Sequence, residues 1–88
     1  MAIGAGSRLE QRVTIGNSVA IGDQADIRRN VVIDDRASIG PLVIVFAGAR
    51  IGANAIVEMG ARIGRRATVL PGAVVPAGTR VPPGAIVP

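Results

Sequence analysis

Two adjacent carboxylates, Asp34 and Asp35, are the first residues whose type and spacing could do chemistry, because paired carboxyl groups can act as general acid and base. In an extended chain, however, neighbouring side chains point to opposite faces. We therefore interpret both as solvated surface residues, and Glu58 in the same way. No segment of the chain clusters several of its six acidic residues, whereas a calcium site needs several converging oxygens.

Hydroxyl groups are the only other candidate nucleophiles, and the sequence offers nothing to activate them. The chain has no histidine, cysteine or lysine. The usual general base, the commonest neutral metal ligand, thiolate metal sites and disulfides are therefore excluded. We predict no catalytic residue, no metal site and no cofactor, and hence no enzyme. The hydroxyl-bearing candidates that this argument sets aside are Ser7, Thr14, Ser18, Ser38, Thr68 and Thr79.

Arginine supplies all ten positive charges, and their distribution is uneven. Residues 1–44 hold five arginines and five acids, whereas residues 45–88 hold five arginines and one acid, a net charge of +4. Two interpretations stay open, a solvated surface and an anion or nucleic-acid binder in the arginine-rich half. The absence of tyrosine and tryptophan argues against binding nucleic acid by base stacking. The candidate anion-binding residues are Arg62, Arg65, Arg66 and Arg80.

A six-residue period runs through the whole chain and must define the elements that position these side chains. Every sixth residue is aliphatic, and we number this repeat position one. Position five is small or valine throughout, apart from the hydroxyl-bearing Ser7 and Thr79. The position-one residues are Ile3, Leu9, Ile15, Ile21, Ile27, Ile33, Ile39, Val45, Ile51, Val57, Ile63, Val69, Val75, Val81 and Val87.

The spacing predicts short strands joined by tight turns. Positions five and one lie two residues apart, so on a strand they share the inward face, and positions six and two face outward. Positions three and four often form Pro-Gly or Ala-Gly pairs, as at 71–72 and 47–48, which suits a type II turn. The same turn accounts for Gly4-Ala5-Gly6 better than a phosphate-binding loop does, because no helix follows.

Three strand-and-turn units make a triangular coil of 18 residues, and the coils stack as parallel strands. The sequence predicts one domain over residues 1–88, with coils at 3–20, 21–38, 39–56 and 57–74 and a partial coil at 75–88. Helix is excluded because six is not a helical period and the Pro-Gly pairs recur. The 18-residue register places Arg8 over Asp26 and Glu10 over Arg28 on one outer face.

This pattern resembles the hexapeptide-repeat superfamily, whose members form left-handed parallel β-helices. The last residues, 75–88, are similar to the final coils of γ-class carbonic anhydrases and bacterial acyltransferases. The resemblance implies an all-β, left-handed solenoid and side-by-side trimers. The carbonic anhydrases bind zinc through three histidines and most of the acyltransferases use a histidine base, and the sequence has none. It also shows no inserted loop and no C-terminal helix, both common in the acyltransferases.

We therefore expect a non-catalytic, self-assembling scaffold, with an acyltransferase or carbonic-anhydrase-like enzyme and an anion binder as alternatives. Four outward apolar residues, Ile44, Phe46, Ile56 and Val74, are the candidate subunit interface. A homotrimer is favoured, and head-to-tail stacking is the other mode of assembly. The start lacks the basic and apolar regions of a secretion signal, and no apolar run approaches about 18 residues. We expect a cytoplasmic protein without membrane contact.

Overall fold

The protein is described by a computed structural model that covers residues 2–88. It contains fifteen two-residue strands and, within that range, no helix. The strands recur every six residues without interruption, which confirms the all-β fold and the absence of an inserted loop. In chain order they are β1 (Ala2–Ile3), β2 (Arg8–Leu9), β3 (Thr14–Ile15), β4 (Ala20–Ile21), β5 (Asp26–Ile27), β6 (Val32–Ile33), β7 (Ser38–Ile39), β8 (Ile44–Val45), β9 (Arg50–Ile51), β10 (Ile56–Val57), β11 (Arg62–Ile63), β12 (Thr68–Val69), β13 (Val74–Val75), β14 (Arg80–Val81) and β15 (Ile86–Val87).

Every third strand joins the same sheet, which gives three parallel five-stranded sheets and about five triangular coils. Sheet A contains β1, β4, β7, β10 and β13; sheet B contains β2, β5, β8, β11 and β14; sheet C contains β3, β6, β9, β12 and β15. The register is 18 residues at every pairing, so Ile3 lies beside Ile21 and Arg8 beside Asp26. The predicted coil and register are confirmed.

The paired strand segments are shorter than the four-residue stretch, from position five through positions six and one to position two, that the spacing predicts for each strand. Only positions six and one are fully paired, while the ladder extends through the position-two N–H, as from Gly4 to the Ile21 carbonyl at 2.7 Å. The turn follows at once, closed by bonds such as that from Ala73 N to the Leu70 carbonyl at 3.0 Å. The turn therefore takes residues that would otherwise lengthen the strand.

Position four adopts a left-handed backbone in every turn from Gly6 to Gly84, with φ between 57° and 77°. The predicted type II turn needs this conformation, which glycine and asparagine adopt most easily. Six turns use other residues, and these must be held there by the stacked coils rather than by their own preference. These residues are Arg12, Ser18, Gln24, Arg36, Leu42 and Arg66.

The core is a continuous column of position-one and position-five side chains. Its burial is complete in the middle, where Ile27, Ile33 and Ile51 are 0% exposed. At the N-terminal end the same position leaves Ile3 41% and Leu9 39% exposed, because no coil precedes them in the described residues. Packing between neighbouring coils therefore supplies most of the burial, as in other repeat folds.

Candidate functional site

A groove of about 790 Å³ runs along the outer face of sheet B and its corner, and five arginines line it. Outward position six supplies Arg62 and Arg80, which lie side by side on β11 and β14. The side chains reach the groove because positions six and two alternate with the buried rungs along each strand. Besides Arg62 and Arg80, the arginines that line the groove are Arg28, Arg29 and Arg65.

One wall of the groove is apolar and holds an arginine in place. The guanidinium carbon of Arg28 lies 5.6 Å from the centre of the Phe46 ring, within the range of a cation–π contact. A terminal nitrogen of Arg28 also lies 3.3 Å from a carboxylate oxygen of Asp26. Both contacts restrict the arginine side chain, so less conformational entropy is lost if the guanidinium binds a ligand.

Positive charge in the groove is only partly balanced. Asp26 pairs with Arg28, and Glu10 accepts a hydrogen bond from the Arg29 backbone N–H at 3.1 Å. Arg62 and Arg80 occupy directly paired positions, where like charges repel. The arrangement can therefore bind an anion with several negatively charged oxygens, since arginine forks match carboxylate and phosphate oxygens.

The structure brings together three of the four arginines that the sequence analysis selects, Arg62, Arg65 and Arg80. The fourth, Arg66, lies beside a smaller neighbouring depression lined also by Pro83 and Gly84. Arg28 and Arg29 were not predicted as part of this site, because the charge imbalance between the two halves of the chain points only to the second half. The 18-residue register contains the missing signal, since Arg29 lies two coils before Arg65 on the same corner.

The four candidate interface residues fall on two different sheets. Ile44 and Phe46 lie half-buried on sheet B, where Phe46 forms part of the arginine groove. Ile56 and Val74 lie side by side on sheet A and are 42% and 49% exposed. A flat contact between two subunits can therefore use either pair, and the more exposed pair is on sheet A.

The acidic residues support the turns of adjacent coils. Asp35 Oδ1 accepts a hydrogen bond from Asn17 N at 2.7 Å, and Asp23 Oδ1 accepts one from Ala5 N at 3.0 Å. Glu58 Oε1 accepts a third from Ala77 N at 3.1 Å. The Arg8–Asp26 register holds, but Asp26 forms its ion pair with Arg28 instead. Within residues 2–88, no group of three potential metal-ligating side chains converges.

Comparison with solved structures connects this geometry to known proteins. A hexapeptide transferase family protein from Anaplasma phagocytophilum superimposes on 97% of this chain and 57% of its own length, with 26% identity and a TM-score of 0.79. The repeat chain thus shares the hexapeptide-repeat β-helix of this transferase family protein. Neisseria gonorrhoeae serine acetyltransferase, crystallised with serine, matches 92% of the repeat chain and 36% of its own, with 26% identity and a TM-score of 0.86.

A third similar structure shares the fold at lower identity. It is a perosamine N-acetyltransferase from Caulobacter crescentus, in complex with CoA and GDP-perosamine, at 20% identity and a TM-score of 0.65. No family model and no curated protein sequence matches the hexapeptide-repeat chain. The chain spans 57% of the length of the Anaplasma phagocytophilum protein and 36% of the length of the Neisseria gonorrhoeae enzyme.

These comparisons correct one prediction. The prediction that the chain is not an enzyme is wrong, because the structures that it resembles at 26% identity are a hexapeptide transferase and a serine acetyltransferase. The error came from treating the missing histidine as decisive for a chain that spans only part of its relatives. No helix in residues 2–88 is long and apolar enough to cross a membrane.

Proposed function

We propose that this chain is the β-helix of an acyltransferase. The observation that carries the proposal is the similarity over 92% and 97% of the chain to a serine acetyltransferase and a hexapeptide transferase. In acyl transfer, the acceptor hydroxyl or amine attacks the acyl carbonyl and a thiolate leaves. The 88 residues contain no histidine to take the acceptor proton, so that base comes from outside them.

The part of the reaction that these residues can perform is binding of the donor. An acyl donor such as acetyl-coenzyme A carries several phosphate groups, and the groove on sheet B presents five guanidinium groups to such an anion. Phe46 and Pro83 add apolar surface between the charges. In this proposal Arg62, Arg65 and Arg80 hold the phosphates and fix the position of the donor.

Binding of coenzyme A to the purified chain, measured by calorimetry at low and physiological salt, tests the proposal. We expect Arg62→Gln with Arg80→Gln to weaken binding by about tenfold or more, since charged hydrogen bonds contribute roughly 1.5–3 kcal/mol each. The matched control is Arg36→Gln with Arg50→Gln, which removes the same charge outside the groove. Equal weakening by both pairs, or no binding by the parent, contradicts the donor site.

Activity needs a separate measurement because the base is supplied from elsewhere. Thiol release from acetyl-coenzyme A in the presence of serine, with imidazole added as an exogenous base, should depend on the protein. The same reaction without protein measures direct acetylation of imidazole and must be subtracted. Thiol release that does not exceed that background, with coenzyme A bound, assigns this chain a binding role without acyl transfer and contradicts the proposed activity.

We also propose that the protein self-associates side by side through sheet A. The outward positions of this sheet are small or apolar in every coil except the fourth, where Glu58 lies two residues after Ile56. Ile56 and Val74 leave apolar surface exposed. A homotrimer is the favoured assembly. Ile56→Glu with Val74→Glu should give a monomer in sedimentation equilibrium, whereas Ile86→Glu on sheet C, also at an exposed site, should leave the mass unchanged. A parent that is monomeric at all concentrations contradicts this assembly.

A further inference from the structure

The six prolines of the chain occupy two kinds of position in the repeat. Pro41, Pro71 and Pro83 lie at position three, the first central residue of the turn, where the fixed φ of proline is favourable. The other three lie at position two, and all of them are in the last coil. Each of the three sheets ends with one of them, and they are Pro76 in sheet A, Pro82 in sheet B and Pro88 in sheet C.

Position two has a constant role in the earlier coils. At all twelve of these positions, from Gly4 to Leu70, the backbone N–H donates to the position-one carbonyl of the following coil. The bonds that reach the last coil run from Glu58 N to Val75 O, from Gly64 N to Val81 O and from Leu70 N to Val87 O, each at 2.9 Å. Proline has no N–H, and its ring occupies the space that the hydrogen would take. The last coil therefore cannot repeat this bond in any sheet.

The opposite end of the solenoid has the complementary groups. The carbonyls of Ile3, Leu9 and Ile15 accept no backbone hydrogen bond from residues 2–88. They are the groups that the position-two N–H of a preceding coil would reach. At this end Ile3 is 41% exposed, whereas Val75 and Val81 of the last coil are only 1% and 4% exposed. The first coil thus presents position-one carbonyls without a backbone donor, and the last coil lacks the position-two N–H groups that would reach such carbonyls.

We infer that Pro76, Pro82 and Pro88 terminate the solenoid and prevent a second copy of the chain from stacking its first coil on the last coil. End-to-end contact between identical chains is a head-to-tail contact, and such contacts extend into filaments when nothing closes them. Unpaired strand edges promote this kind of association, and proline is one of the residues that block it. The inference is independent of the proposed acyl transfer, because it concerns contacts along the solenoid axis, whereas donor binding is proposed for the groove on sheet B.

Replacing the three prolines by glycine, the residue found at six of the twelve earlier positions, tests the inference. The variant Pro76→Gly, Pro82→Gly, Pro88→Gly should form rods that lengthen with protein concentration. We expect the weight-average mass in sedimentation to rise roughly tenfold or more, as open-ended association does. The parent should keep one discrete mass and show no rods by electron microscopy.

The matched control removes the same number of prolines from turns, as Pro41→Gly, Pro71→Gly, Pro83→Gly. This variant should lose some thermal stability and gain no axial association. Should the first variant fail to fold by circular dichroism, Pro82→Gly alone restores one donor in sheet B and should still increase the mass reversibly. The inference is overturned if the folded proline variants keep the parent's mass, or if the control forms the same rods.

Discussion

The first coil and the central coils carry the same repeat but are held by different forces. In the central coils Ile33 and Ile51 are fully buried, while in the first coil Ile3 and Leu9 keep about two fifths of their surface exposed, at 41% and 39%. A rung that is covered on one side only gains less from the hydrophobic effect. The same repeat position therefore contributes different amounts to the free energy of unfolding, depending on the number of neighbouring coils.

Polar side chains compensate for the incomplete apolar burial of the first coil. Four of the five side-chain hydrogen bonds described for residues 2–88 join the first coil to the second. They include the Asp23 and Asp35 bonds and one from Ser7 Oγ to the Gly22 carbonyl at 2.8 Å. The first coil is therefore joined to the second by local polar contacts where its apolar burial is incomplete.

The largest difference is expected from the same truncation at the two sites. Ile51→Ala should lower the free energy of unfolding by about 4 kcal/mol, because a fully buried isoleucine leaves a cavity between coils. Ile3→Ala should lower it by about 1 kcal/mol, because much of that side chain is already in water. Urea denaturation followed by circular dichroism measures both values. Equal losses would show that burial between coils does not decide the stability of a rung.

A smaller effect is expected from glycines that lie beneath the next turn. A Cβ at Gly52 would come within 2.5 Å of the Pro71 nitrogen, so Gly52→Ala should cost about 3 kcal/mol. Gly4→Ala meets the backbone of Asp23 as closely but should cost about 1 kcal/mol, because the first coil can detach without unfolding the rest.

Gly72→Ala is the control for these two variants, and thermal unfolding measures the stability of all three. At Gly72 φ is +75° and a Cβ has open space, so only the backbone conformation opposes the substitution, at a cost of about 1 kcal/mol. A Gly52 variant no less stable than the Gly72 variant would remove close packing of the turn as the reason for glycine at position two.

The side-chain hydrogen bonds between the first and second coils can be tested by replacing two neighbouring acidic residues. Asp35→Ala removes the acceptor of the Asn17 N–H and should cost about 1 kcal/mol, together with faster hydrogen exchange in the first coil. Asp34→Ala removes a carboxylate for which no side-chain hydrogen bond is found in the described residues. The free energy of unfolding of this variant should lie within about 0.5 kcal/mol of that of the parent. Identical exchange in both variants would contradict the role of Asp35.

The smallest effect is a gain of stability in a turn. Leu42 has φ of 62° and is 53% exposed, so Leu42→Gly relieves an unfavourable backbone conformation with little loss of burial. We expect a gain of about 1 kcal/mol in the free energy of unfolding. Arg12→Gly relieves the same conformation in the first coil and should raise the stability less. Loss of stability in the Leu42 variant would show that its side chain, not its backbone, matters there.

The groove illustrates where sequence-based prediction reaches its limit. The period of six predicts which residues face outward, but Arg62, Arg65 and Arg80 were selected by counting charge in halves of the chain, and the structure places all three around one groove. The same count left out Arg28, which lies in the first half of the chain, two coils before Arg62 and Arg65. The contact of Arg28 with Phe46 depends on side-chain conformation, which no spacing rule predicts.

By itself, the sequence determined the solenoid, its 18-residue register, the direction of each rung and the position of every turn, because these depend on a local period that is never interrupted. Only the tertiary structure decided what depends on stacking. Coil-on-coil packing places Leu42 and Arg66 in a left-handed conformation that neither residue favours. It also leaves Ile3 exposed while it buries Ile51, and it brings arginines from both halves of the chain into one groove. Each of these outcomes depends on neighbours 18 or more residues away, which a six-residue pattern does not describe.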